Sequence, residues 1–321
     1  MTFAGSPERV EARLVPERGY EFDAFAVSGF PRKPGADLLR ALGRAAAAPV
    51  ACLRILDRRR PDAVLGAGGY VAGPMVFAAR VRGIPAALTE ADAHLGLANR
   101  LAAPFAERIF LAVPVGRAGV KYRTVGRPVP ETSRPVGRTE ARERLGLDAD
   151  ARVVLVFGGS LGARLLNQLA LDAWAEEGPA VVHLCGGRDY EELRGRVSRP
   201  DYLLRPFLDE IGVAYGAADV ALARAGGSVW ELAAAGLPAV LVPGSFATGG
   251  HQAKNAEWFV RAGGAVVVPE TEASRAPRVV DELLADPERL ARMAEAMRTV
   301  AKPDAAEEIA GELVELAAAR R

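Results

Sequence analysis

The chain has 321 residues, half of them apolar and a quarter charged, which is enough for about two domains with sizeable cores and excludes disorder, collagen-like repetition and a disulfide-stapled mini-protein. Lys plus Arg, at 41, almost balances Asp plus Glu, at 40, so no global basic field exists to hold nucleic acid, and a small or lipid-linked partner is favoured. Cys52 and Cys185 each lie in an apolar run far from a second Cys, which points away from a disulfide framework or a zinc site and toward a cytoplasmic setting.

No secretory leader is expected at the N-terminus, and the longest uncharged stretch, 232–250, is broken by Pro238, Pro243 and several glycines, so no membrane span is predicted. In chain order, short apolar runs at Thr2–Gly5, Tyr20–Val27, Ala63–Gly66, Ala86–Thr89, Ile109–Ala112 and Tyr122–Gly126 alternate with helical stretches. Between the second and third, 37–60 interleaves Leu38, Leu39, Leu42, Val50, Leu53, Ile55 and Leu56 with six arginines: a face for anionic headgroups, or a helix packing its leucines on a sheet. The segment 126–147 has prolines among polar residues and reads as a linker, with a boundary near 134. A second series of runs follows at 152–159, 180–187, 202–207, 218–227, 238–244 and 264–269, and 303–321 reads as one amphipathic helix with acids first and arginines last. Such continuous apolar runs with helices between them predict two doubly wound α/β domains.

Ligands of that fold sit at the turns that follow the strands. VVLVFGGSLGARLLN (153–167) is a buried strand feeding a turn whose Gly158, Gly159, Ser160 and Gly162 can cradle a diphosphate with backbone N–H groups, or can serve packing alone. It lacks the full dinucleotide fingerprint. In RAGGSVWELAAAGLP (224–238), Glu231 stands among small and apolar residues and can take ribose hydroxyls, or sit as an acid in a helix's first turn. His251, Gln252 and Asn255 open the next helix and suit sugar hydroxyls or a solvated cap. In the first half, Gly68, Gly69 and Tyr70 form one turn, and Glu90, Asp92, His94 and Asn99 follow the next strand, where Asp92 and His94 are candidates for proton transfer.

In this order, DAVLGAGGYVAGP (62–74), FGGSLGARLLN (157–167), ELAAAGLPAVLVP (231–243) with HQAKNA (251–256), and PDAAEEIA (303–310) resemble the MurG family over essentially the whole chain. That family adds N-acetylglucosamine to the lipid-linked muramoyl-pentapeptide of peptidoglycan. The resemblance implies a GT-B fold: an acceptor domain at 1–134 completed by a C-terminal helix at 304–321, a donor domain at 135–303, and a crevice between them. It implies an inverting transfer from UDP-N-acetylglucosamine without a metal or other cofactor, to an undecaprenyl-linked acceptor, by an enzyme peripherally attached to the inner membrane surface on its cytoplasmic face. Carried over, Gly158, Gly159, Ser160 and Gly162 hold the diphosphate, Glu231 the ribose, the backbone near Phe207 and Leu208 the uracil, and His251, Gln252 and Asn255 the sugar. Gly68, Gly69, Tyr70, Glu90, Asn99 and Arg127 are carried to the acceptor side.

The sequence also departs from the family. Asp92 stands where the family has Asn, 224–231 is one residue shorter than usual, and Pro130 replaces the Arg of a GNPVR turn, for which Arg127 is the nearest substitute. The family's opening strand and GGTGGH-like loop, its acceptor-diphosphate cradle and candidate base, have no match, since residues 1–6 align with its second strand. Poor turnover is therefore expected of the chain as written, and Asp92 and His94 are the base candidates present. A degenerate UDP-sugar-binding paralogue and a transferase with another acceptor are the alternative readings.

Overall fold

The computed structural model describes residues 1–27, 36–116, 119–159, 162–245 and 250–320, without the side chains of 36–42, 45 and 251. They divide into two compact units, residues 1–125 with 306–321, and residues 126–305. The boundary therefore falls after Val125 rather than near 134. The reason is packing: Gly212 and Gly216, one helical turn apart, have no side chains, so the carbonyls of Arg134 and Val136 occupy the places where their Cβ atoms would be. The Val136 N–H donates to the Gly212 carbonyl at 3.2 Å. The proline-rich segment is thus a strap bound to the second unit.

In the first unit, strands β1 (Thr2–Gly5) and β2 (Glu21–Ala24) form a parallel pair, while β3 (Val64–Gly66), β4 (Ala86–Glu90), β5 (Arg108–Leu111) and β6 (Tyr122–Thr124) form a parallel sheet in that order. Its helices are α1 (Glu11–Glu17), α2 (Ala36–Arg59), α3 (Gly69–Val81), α4 (Leu97–Ala102) and the C-terminal α13 (Ala305–Ala318). Both sheets share one core, in which Phe25 and Val27 meet Cys52, Ile55 and Leu56 of α2 and Val76, Leu88 and Ile109. The spacing of Ile309, Leu313 and Leu316 puts one stripe of α13 on Ala87, Phe110 and Val125. Glu312 then bridges Arg108 at 3.1 Å and Arg123 at 3.0 Å.

The second unit is a six-stranded parallel sheet ordered β12-β11-β10-β7-β8-β9, from β7 (Val153–Phe157), β8 (Ala180–Leu184), β9 (Tyr202–Arg205), β10 (Val220–Ala223), β11 (Ala239–Leu241) and β12 (Ala265–Val267). Helices α5 (Arg138–Leu145), α6 (Arg164–Trp174), α7 (Tyr190–Leu193), α8 (Ile211–Ala217), α9 (Val229–Ala235), α10 (His251–Ala262), α11 (Ala276–Leu284) and α12 (Pro287–Val300) complete it. Every residue of β7, β8, β10 and β11 is buried, as continuous apolar runs covered on both faces require. The chain winds outward from β7 through β8 to β9, then returns to β10 on the other side of β7. That reversal makes the carboxyl ends of β7 and β10 the topological switch point, where ligands of open α/β sheets bind.

The described part of the α2 stripe is mostly absorbed by the core of the first unit. Ile55 and Leu56 are buried, Leu53 packs beside them, and Arg58 and Arg59 both reach the buried Asp23, at 2.5 and 2.7 Å. Only Val50 of the described stripe stays in water, and Leu38, Leu39 and Leu42 lie outside the described side chains.

Candidate active site

Because all six strands of the second unit are parallel, the turns after β7, β9, β10 and β11 gather on one edge of its sheet. Ala223 of β10 is the register partner of Phe157 of β7, so the turns beginning at Gly158 and Arg224 start side by side. Three glycines of the first turn have different tasks. A Cβ on Gly158 would collide with Ala163, and one on Gly162, at φ +72°, with the Cys185 carbonyl; both glycines let the turn close against its neighbours. Among the described residues nothing lies within 4 Å of where a Cβ on Gly159, at φ +92°, would stand, the condition for close approach of a ligand to backbone. Ser160 lies outside the described residues.

Behind this turn lies a buried polar network with little signal in the sequence. Asn167 of α6 donates to the Cys185 carbonyl at 2.9 Å and to Asp189 at 3.1 Å, and its Oδ1 lies 3.0 Å from His183 Nε2. Since that oxygen can only accept, Nε2 carries the imidazole proton and Nδ1 accepts from the Tyr202 hydroxyl, 2.9 Å away. Burial pushes His183 down to about 3, so the ring is neutral. Arg188, aided by Arg164, holds Asp189 down at about 2.

Glu231, on α9, is half-buried, and its Oε2 accepts from Ser133 of the strap and Tyr215 of α8, both at 2.9 Å. These two hydroxyls occupy one carboxylate oxygen. Oε1 has no protein donor among the described residues. Burial, then the nearby carboxylate, pushes the Tyr215 phenol well above its usual range. The loop after β11 is pinned at its start, where Gly244 N–H donates to Gln252 Oε1 at 2.7 Å and Ser245 N–H to Glu270 at 2.8 Å. Gln252 thereby keeps its amide nitrogen for another acceptor. Arg224, buried, donates to the Val242 carbonyl at 3.1 Å and pairs with Glu270 at 2.6 Å, joining the turns after β10 and β11. Asn255 is buried, Leu208 half-buried and Phe207 exposed after β9, and His251 opens α10 with its side chain outside the described set.

In the first unit, Gly68 and Gly69 take φ of +91° and +68° between β3 and α3, a path that disfavours side chains. Tyr70 is engaged by Arg9, whose Nε donates to its hydroxyl at 2.8 Å. Glu90 holds the loop after β4: Oε2 accepts from Gly96 N–H at 2.8 Å and Asn99 Nδ2 at 2.9 Å, and Oε1 from Asp92 N–H at 3.3 Å. It is therefore committed to organising the loop that carries Asp92 and His94, both half-buried. Asn99 Oδ1 is buried without a partner among the described residues.

Arg127 departs from its expected place on the acceptor side. It belongs to the second unit, and its guanidinium lies where a Cβ on Gly227 would be. Gly126, at φ +87° with Lys302 against it, turns the chain there, and only a residue without a side chain leaves that space at 227. A concavity of about 460 Å³ lined by Arg152, Gly178, Pro179 and Asp201 opens at the amino ends of the strands, the edge opposite these turns. Among the described residues no cluster of three or more His, Cys, Asp or Glu is placed to hold a metal ion.

Comparison with known proteins adds to this geometry. Residues 2–111 match the glycosyltransferase family 28 N-terminal domain and residues 153–309 the glycosyltransferase family 28 C-terminal domain. A Salinibacter ruber protein named UDP-N-acetylglucosamine–N-acetylmuramyl-(pentapeptide) pyrophosphoryl-undecaprenol N-acetylglucosamine transferase is 40% identical over 99% of this chain and 88% of its own length. A Mycobacterium tuberculosis protein of the same name is 41% identical over 97% of this chain and 80% of its own. The crystal structure of Acinetobacter baumannii MurG superposes with a TM-score of 0.76 at 28% identity, covering 98% of this chain and 90% of that one.

Proposed function

The chain belongs to glycosyltransferase family 28, and from that premise we propose that it is the N-acetylglucosaminyltransferase that moves N-acetylglucosamine from its UDP-linked donor to the undecaprenyl-diphosphate-linked muramoyl-pentapeptide. It is a hexosyltransferase of peptidoglycan synthesis, built as two Rossmann-like units in the GT-B manner. The observation that carries the reading is identity of about 40% across nearly the whole chain to proteins that share this one name.

The chemistry is a displacement at the anomeric carbon of the sugar: the acceptor hydroxyl oxygen forms the new bond, the bond to the diphosphate oxygen breaks with inversion, and UDP leaves with the electron pair. The acceptor proton passes to a base, for which Asp92 and His94, on the loop held by Glu90, are the proposed acceptors. On the donor side, the open backbone at Gly159 with Ser160 takes the diphosphate, Glu231 Oε1 the ribose, the backbone at Leu208 the uracil, and the Gln252 amide with His251 and Asn255 the sugar. Glu231 suits its part because Ser133 and Tyr215 fix one oxygen and leave the other. Gly68, Gly69, Tyr70 and Asn99 serve the acceptor.

The acceptor's lipid implies work at a membrane surface. Among the described residues no helix is long and apolar enough to cross a membrane. Phe77 and Val81 of α3 and Leu97 and Leu101 of α4 are exposed beside Arg80 and Arg100, and the two helices pack together. These exposed residues suit insertion among anionic headgroups. The test of the activity is incubation of the full chain with radiolabelled UDP-N-acetylglucosamine and the lipid-linked acceptor. Labelled lipid product, formed at low turnover, is the expected result, and UDP binding with no transfer at all would overturn the enzyme reading.

A further inference from the structure

His183 is wholly buried in β8, a costly place for an imidazole unless both its nitrogens are bonded. Both are: Nε2 donates to Asn167 Oδ1 at 3.0 Å, and Nδ1 accepts from the Tyr202 hydroxyl at 2.9 Å. The Asn167 amide is thereby filled on every side, since its nitrogen donates to the Cys185 carbonyl at 2.9 Å and to Asp189 at 3.1 Å. The other residues of β8 are apolar, and one more of them here would fill the space with no bond to satisfy, so the imidazole does something besides packing.

What it does is visible one step further along. The Cys185 carbonyl occupies the place where a Cβ on Gly162 would stand, and the Gly162 N–H donates to the Gly159 carbonyl at 2.9 Å. The far end of the same turn is tied to the same groups: the Asn167 N–H donates to the Ala163 carbonyl at 2.9 Å, and Arg164 Nε to Asp189 at 3.1 Å. A chain of contacts thus runs from Tyr202 and His183 through Asn167 and Cys185 to the backbone at Gly159. A backbone cradle works by N–H groups whose direction is fixed before the ligand arrives, so whatever fixes that direction contributes to binding.

We propose that His183 is a positioning residue for the donor diphosphate: by holding the Asn167 amide from behind, it keeps the Cys185 carbonyl against Gly162 and so sets the path of the turn at Gly159. The inference rests on the donor assignment above and deepens it with a residue that acts only through others. Without the Nε2–H, the buried Oδ1 of Asn167 has no donor, and the amide gains by turning toward another, which releases the Cys185 carbonyl.

Titration calorimetry of the full-length chain with UDP and with uridine tests this. His183→Leu should weaken UDP binding roughly tenfold, about the worth of one misplaced hydrogen bond, and leave uridine affinity within about twofold. His183→Gln, which keeps a donor and an acceptor, should restore most of the UDP affinity. Unchanged UDP affinity in His183→Leu would overturn the proposal, as would an equal loss for uridine or no rescue by Gln. A second measurement needs no variant: nitrogen NMR of the His183 ring in the unsubstituted chain at neutral pH should show the Nε2–H form, and the Nδ1–H form would overturn the proposal. Absence of UDP binding by the unsubstituted chain would overturn the donor assignment and this inference together.

Discussion

A carboxylate can be loaded by several donors at once, and Glu231 shows how a protein uses some of them to aim the rest. Ser133 and Tyr215 hold Oε2 at 2.9 Å each, so Oε1 is oriented, as the proposed ribose contact requires, instead of belonging to a rotating side chain. Glu231→Ala removes both functions and should weaken UDP binding by about 1–3 kcal/mol, whereas Ser133→Ala leaves the carboxylate and should cost about half as much. Calorimetry on the two variants measures this, and equal UDP affinity in Glu231→Ala would refute the ribose assignment. Glu231 was legible in the sequence as a lone acid among small residues. Ser133 was not, because its partner is 98 residues away and meets it only through the strap.

At the scale of elements, the clearest case is the pair formed by α3 and α4. Residues 77, 81, 97 and 101 are apolar with spacing that places 77 above 81 and 97 above 101, yet they stay in water. Burying exposed apolar area stabilises by roughly 25 cal/mol per Å², so a bilayer is a better environment for them than solvent. Replacing Val81 and Leu101 together by Asp should abolish flotation of the protein with anionic vesicles at low salt and leave UDP affinity unchanged; flotation equal to that of the original chain would exclude this face. The α2 stripe looked equally suitable as a sequence. Amphipathic periodicity marks which side of a helix is apolar, but the same side serves a core or a membrane, and for Leu53, Ile55 and Leu56 it is the sheet packed on them that makes it core.

For the whole molecule, acid stability follows from two kinds of buried charge control. His183 is neutral, its pKa pushed from 6.5 down to about 3, so below pH 6.5 the unfolded chain binds a proton that the native state refuses. Stability is present above pH 6.5 and declines by about 1.4 kcal/mol for each pH unit toward 3. Asp23, Asp189, Asp201 and Glu270 have lowered values in the native state, so they add stability that is kept above about pH 4 and lost as pH falls through those values. Two phases of acid destabilisation are therefore expected. Urea midpoints from pH 7 down to about pH 2 check this: His183→Gln, which keeps a donor and an acceptor, should flatten the first phase and spare the second, and an unchanged slope above about pH 4 would show that His183 does not control it.

The sequence by itself determined the strand-and-helix alternation, the C-terminal helix, the two-unit plan and the need for glycine at 158, 159 and 162, because each is written in local periodicity or in a backbone path that few residues tolerate. It also carried the family resemblance, since that depends on the order of short motifs. Only the tertiary structure decided the sheet order that makes β7 and β10 neighbours, the boundary after Val125, the coupling of His183 to Asn167 and Tyr202, and the place of Arg127. These depend on contacts between residues far apart in the chain. No local rule forecasts them, because the space beside Gly227 and the vacancies at Gly212 and Gly216 acquire meaning only when another segment arrives to fill them.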